Sequence, residues 1–162
     1  MIDKTAVKLP MAHLRFLEGC ASFEAKTAEL YHHFERLYAD DAGLARLWRK
    51  TALEEENHAQ QFDLAIRLQG VGMERVRTDV SQAVTNLHRL EEFMEKIMAS
   101  KPSPREALAL AIRLEEQLSV LHMSSIVVFT DLKLKKLFEA MMDHDKDHVS
   151  VLRDALQKLQ GN

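Results

Sequence analysis

The sequence predicts an all-α fold built from long helices, and three observations carry that expectation. Glycine and proline are scarce, five and three among 162 residues, so turn and strand punctuation is sparse. Aromatic residues make up only 6% of the chain, while the strong helix formers Leu, Ala, Glu, Lys and Arg are abundant. Apolar residues recur at helical spacing over one run of nearly thirty positions. Such a helix is about 42 Å long at 1.5 Å per residue, too long for an ordinary globular helix but natural in a bundle.

The breakers that do occur bound the elements. Pro10 suits a helix start, and the first run extends to about Ala39, where Asp40 and Asp41 end it. Asp41 is the expected N-cap of the second run, which continues to Gln69 and stops at Gly70-Val71-Gly72. Thr78 or Asp79 opens a segment through Ala99, with Val80, Val84, Leu87, Leu90, Met94 and Ile97 along one apolar face. Ser103-Pro104-Arg105-Glu106 combines a capping box with proline at the first helical position, opening a run to about Phe129. Thr130 or Asp131 then caps a last helix ending near Gln160-Gly161. Two short links imply two antiparallel hairpins, and the stretch from Gly70 to Pro102 must carry the chain back along the bundle. That is the long crossover, here containing an additional helix, of a ferritin-like four-helix bundle. The amphipathic crossover helix needs a surface to cover, on its own bundle or on a second subunit.

Length and charge narrow the function. A chain of 162 residues suffices for a single domain, 1–162, with a sizeable core. A net charge of −3 argues against a nucleic-acid partner, and no window offers the roughly 18 apolar residues of a membrane span. Cys20 is the only cysteine, which leaves no internal disulfide, CxxC pair or cysteine-ligated metal site. With no apolar signal core in the N-terminal segment, the expected location is cytoplasmic.

The middles of the apolar stripes carry the chemistry. At 100° per residue, Leu44, Trp48, Phe62 and Ile66 fall within about 20° of Glu55, whereas Glu54 and Glu56 are turned about 100° away. The last helix repeats the arrangement with Leu134, Phe138, Leu152 and Leu156 around Asp145. Leu17, Thr27 and Tyr31 share the face of Glu24, and Leu108, Leu118 and Ile126 share that of Glu115. Glu24 precedes Glu55 by 31 positions and Glu115 precedes Asp145 by 30, so the two halves read as a duplication. Each second carboxylate is followed three residues later by a histidine on the same face, His58 and His148. A third such pair, Glu29 and His32, lies about 140° from the Glu24 stripe and is expected to face solvent.

Four carboxylates facing one another in a core repel strongly and are costly to desolvate, so such a core needs cations. Two divalent metals would balance the four charges, with His58 and His148 each completing one metal's inner shell. Oxygen-rich ligation with one imidazole per metal favours iron or manganese over structural zinc, although zinc is compatible with a purified sample.

These residues resemble the rubrerythrin-like branch of the ferritin-like di-iron carboxylate proteins, over both hairpins and so most of the chain. The resemblance rests on Glu24 with Tyr31 seven residues later, on Leu53-Glu54-Glu55-Glu56-Asn57-His58-Ala59, on Ala111-Ile112-Arg113-Leu114-Glu115, and on Phe138 through His148. It implies Glu24, Glu55, His58, Glu115, Asp145 and His148 as ligands of two iron ions, or of an iron–manganese pair. It further implies an oxidoreductase that reacts with peroxide or oxygen, as a peroxidase or ferroxidase, and a homodimer. Asp145 stands where the family usually has glutamate. Ile112 occupies the position of an additional helix-three glutamate of the peroxide-reducing members. Without an attached rubredoxin domain, reducing electrons are expected from an external donor. The alternative is a non-catalytic metal-binding or interaction bundle with a degenerate second site.

Other residues carry plainer expectations. Tyr31 is placed to orient a ligand carboxylate. His122, seven residues after Glu115, reads as a core or ligand-orienting histidine with direct metal binding as the alternative. His144, about 100° from the Asp145 stripe, reads as a surface residue that could substitute as a ligand. Trp48, Phe62, Met141 and Met142 read as core or near-core residues, and Cys20 as an inert buried thiol.

Overall fold

The computed structural model describes residues 7–118, 121, 123–142 and 148–161. These residues are mostly helical. Helix α1 is Met11–Leu37, and the Pro10 carbonyl accepts from the Leu14 amide at 3.0 Å to begin its ladder. Helix α2 is Ala42–Arg67, with Asp41 Oδ1 accepting from the Gly43 and Leu44 amides at 2.9 and 3.0 Å. That carboxylate satisfies two of the amides a helix start leaves without partners. Strand β1, Met73–Val76, follows. Helix α3 is Val80–Ala99, capped by Asp79 through the Gln82 amide at 3.0 Å. Helix α4, Pro104–Leu118, opens with the reciprocal box in which the Ser103 amide donates to Glu106 and the Glu106 amide to the Ser103 hydroxyl. After it come the short α5, Met123–Ile126, strand β2, Val127–Phe129, and helices α6, Leu132–Met142, and α7, His148–Gln160. Asp131 Oδ1 caps α6.

Side-chain pairs fix the helix directions. Between α1 and α2, Glu24 lies beside Glu55 and His58, and Glu35, eleven residues on, meets Arg49. Partners advance along one helix as they recede along the other, so the two helices are antiparallel. Between α1 and α3, Gly19 lies beside Leu87, Lys26 pairs with Glu91 and Thr27 lies against Met94. These partners advance together, so α3 runs parallel to α1 and returns the chain along the hairpin. The crossover helix therefore covers its own chain, burying Ala83, Leu87, Leu90, Met94 and Ile97 and leaving Val84 exposed. Helix α4 starts where the Tyr38 hydroxyl donates to the Pro102 carbonyl at 2.6 Å, runs back against α1 to Glu115, and packs against α7. Trp48 fills the α1–α2 seam, its ring centroid 4.8 Å from Phe34 and 5.5 Å from Tyr31, and each such pair adds roughly 0.5–1.5 kcal/mol beyond burial.

A small sheet closes the opposite end, which leaves the all-α class standing but corrects the expectation of a helix running from Ser103 to Phe129. Strands β1 and β2 pair antiparallel, Met73 with Phe129, Arg75 with Val128 and Val76 with Val127. Two consecutive β-branched residues and an aromatic are stiff in a helix but suit a pleated strand. Helical periodicity persists past the end of the helix because Ile126 falls on the Glu115 stripe. Ile126 is indeed buried, but in α5, and its carbonyl accepts from the Arg77 amide. The turn after α2 requires left-handed backbone at Gly70 (φ 65°) and Gly72 (φ 78°), where the Gly70 carbonyl accepts from Leu9 and the Gly72 carbonyl from Thr130.

Candidate metal centre

Near the middles of α1 and α2 the apolar stripes are interrupted by Glu24 and Glu55, as the helical wheel requires. Both sit among large apolar side chains yet are only 2% and 1% exposed. Helix α4 brings Glu115 to the same place at 2%, α2 adds His58 at 3%, and α7 adds His148 at its first residue at 9%. Two groups of potential donors result. Glu24, Glu55 and His58 form one, and Glu55, Glu115 and His148 the other, with donor atoms in each lying within 4.8 Å of one another. Either group could hold a metal ion.

Glu55 is common to both, and its two oxygens are divided between the two histidines. Oε2 lies 3.2 Å from His58 Nδ1 and Oε1 lies 2.9 Å from His148 Nδ1. The imidazole rings stack, with centroids 5.3 Å apart and planes 14° from parallel. On the α4 side the Tyr31 hydroxyl donates to Glu115 Oε1, which leaves Oε2 turned toward His148 Nδ1 at 3.7 Å. The phenol therefore orients one carboxylate of the cluster.

The electrostatics express the crowding. Burial, followed by the charge of Glu55, raises the Glu24 carboxyl well above the ordinary carboxylate range. Burial and the Glu55 charge also raise Glu115, against the contacts it makes with His148 and Tyr31. Burial opposes ionisation of Glu55 as well, but its contacts with His148 and His58 outweigh that and hold it well below the usual range. Burial disfavours a charged His148, yet Glu115 and Glu55 push its pKa up to about 11. The histidine proton is thus standing in for a cation.

The donor set fits a metal on a further observation. Glu24 Oε2, Glu55 Oε1 and His148 Nδ1 are buried with no hydrogen-bond partner among the described residues, although the latter two are within 3 Å of each other. Close approach without hydrogen-bond alignment is the arrangement expected when donor atoms point at a shared ion rather than at one another.

Asp145, His122 and His144 lie outside the described residues. Glu29 is exposed, and His32 faces Glu35 and Glu56, each at 2.9 Å, rather than Glu29. Cys20 is buried, and burial pushes its thiol far up. Helical position alone did not single out Glu54. Its Oε2 approaches His148 Nε2 at 3.1 Å from the flank of α2. Adjacency to the stripe-centred Glu55 and a long, three-torsion side chain are the only signals the sequence holds for it. Among the described residues no helix is long and apolar enough to cross a membrane. Compared with known proteins, the chain matches no family model, no curated protein and no solved structure.

Proposed function

We propose that this protein is a ferritin-like bundle that holds two iron ions, or an iron–manganese pair, and acts as an oxidoreductase on oxygen or peroxide. The observation that carries the reading is Glu55, shared by two donor groups and offering one oxygen toward the Nδ1 of each histidine. A carboxylate so placed would be available to both cations of a metal pair. The helix directions agree with it, since an antiparallel α1–α2 hairpin, a returning α3 and an α4 packed against α7 follow the order of a ferritin-like chain. In this reading Glu24 and His58 complete one metal's ligands, Glu115 and His148 the other's, and Asp145 supplies the fourth carboxylate.

When bound, the reduced metal pair supplies the electrons that reduce the oxidant. The chain's own residues bind, orient and exclude water. Tyr31 fixes the rotamer of Glu115, and its ring packs on Trp48, which in turn packs on Phe34, so the phenol stands on an apolar seam between α1 and α2. The electrons are returned by an external donor, and the protein works in the cytoplasm as a homodimer. Rapid oxidation of added ferrous iron by the parent protein, lost in Glu55→Ala and Glu115→Ala variants whose circular dichroism is unchanged, is the expected result. Equal oxidation rates in parent and variants would overturn the proposal.

A second reading, a bundle that holds metal without turnover, draws on Ile112, an apolar residue one turn before Glu115 on α4. Full metal occupancy with no oxidation of the ferrous protein would favour it.

A further inference from the structure

The two nitrogens of His148 face different carboxylates. Nδ1 points into the cluster, 2.9 Å from Glu55 Oε1 and 3.7 Å from Glu115 Oε2. Nε2 points the other way, 3.1 Å from Glu54 Oε2. Glu54 is less buried than the cluster, with a side chain 17% exposed, and its other oxygen lies 3.8 Å from Lys50 Nζ on the helix surface. It lines a groove of about 560 Å³ between α2 and α6, together with Lys50, Leu53, Asn57, Leu137 and Met141. The groove gives the Glu54 carboxylate access to solvent while its Oε2 remains on the buried ring. Asn57, three residues on, donates to the Met141 carbonyl at 3.1 Å and ties this stretch of α2 to the end of α6. Glu54 therefore stands on a braced segment.

An imidazole that binds metal through one nitrogen has its other N–H to dispose of, and a carboxylate on that side fixes both tautomer and ring orientation. In the present arrangement neither His148 nitrogen is aligned for a hydrogen bond, so the Glu54 contact is a close ion pair rather than a completed bond. We propose that Glu54 is the positioning residue of His148: it accepts the Nε2 proton and keeps Nδ1 turned toward Glu55 and Glu115. Glu54 is not itself a ligand. The assignment rests on the two-metal reading above, and it makes the two halves of the centre separable, because Glu54 serves the His148 side.

The test is a zinc titration against a chromophoric chelator, with parent protein, Glu54→Ala and Glu54→Gln, supported by long-range proton–nitrogen spectra of the zinc-loaded proteins. Loss of an outer partner of a metal-bound histidine weakens metal affinity by about 10–100-fold. The expected result is that Glu54→Ala weakens one of two zinc ions by that factor and leaves the other within about twofold. Glu54→Gln, whose amide oxygen can accept the same proton, stays within a few-fold of the parent. The zinc-loaded parent should show His148 protonated at Nε2, with that proton exchanging faster in Glu54→Ala. Unchanged affinities in Glu54→Ala, equal weakening of both zinc ions, or a Glu54→Gln variant as weak as Glu54→Ala would each overturn the assignment. A parent protein that takes up no zinc fails by itself, before any variant is made, and removes the two-metal reading along with it.

Discussion

At the scale of single residues, the cluster without metal is held together by protons, and this fixes its response to pH. Glu24 and Glu115 retain protons in the folded chain above the ordinary carboxylate value of 4.5, and His148 retains its own far above 6.5, up to about 11. In each case the folded state binds more protons than the unfolded state, so stability is fully present below the unfolded value and is lost as pH rises toward the folded one. Glu55 works in the opposite sense, contributing stability above 4.5 that is lost as pH falls. Between pH 6.5 and 9 Glu55 is ionised in both states and adds no slope, so the groups with raised values, His148 among them, set the trend. Metal-free protein should therefore melt at a lower temperature at pH 9 than at pH 6.5, as followed by circular dichroism in the presence of chelator. Metal must displace these protons, so zinc loading in weak buffer should release protons to an indicator dye, and zinc affinity should rise over the same pH range. No proton release on saturation would mean that the cluster is not where the metal goes. Glu24, Glu55 and Glu115 are readable from the sequence because a helical wheel detects a charge centred among apolar neighbours. Glu54 is not, because the wheel records where a side chain leaves its helix and says nothing of what it can reach on the next one.

At the scale of elements, the boundaries set by side-chain chemistry were the legible ones. Asp41, Asp79, the Ser103–Glu106 box and Asp131 all accept the amides their positions call for. Strands of three and four residues lack enough length for a period, and β2 was absorbed into the preceding helical run through Ile126. Two measurements address this scale. Asp79→Ala should cost about 0.5–2 kcal/mol, a fall of a few degrees in melting temperature. Gly72→Ala should be worse, because Gly72 has positive φ and an added Cβ would come 2.7 Å from Leu134 Cδ1 and 3.0 Å from Asp131 Cβ. A loss above about 1 kcal/mol is expected, together with weaker hydrogen-exchange protection of the β1–β2 amides. A neutral Gly72→Ala would show that the turn can adopt another backbone.

At the scale of the whole molecule, the bundle sacrifices stability at its centre. Three buried carboxyl groups contributed by α1, α2 and α4 could have been leucines, and replacing a buried polar group with an apolar one of similar volume relieves a desolvation cost of about 1–3 kcal/mol. Metal-free Glu24→Leu should accordingly melt at or above the parent temperature at pH 8, while losing the metal on the His58 side. A large loss of stability in that variant would mean that Glu24 has a structural partner in the metal-free fold. Metal, by binding only the folded state, should restore what the carboxylates remove. The measurement that bears most directly on the proposed two-metal centre is the metal count per chain by elemental analysis, after anaerobic ferrous loading and removal of free iron. Two irons per chain are expected in the parent and none in Glu55→Ala, because both donor groups depend on that one carboxylate. One iron or none in the parent, or two retained by Glu55→Ala, would contradict it.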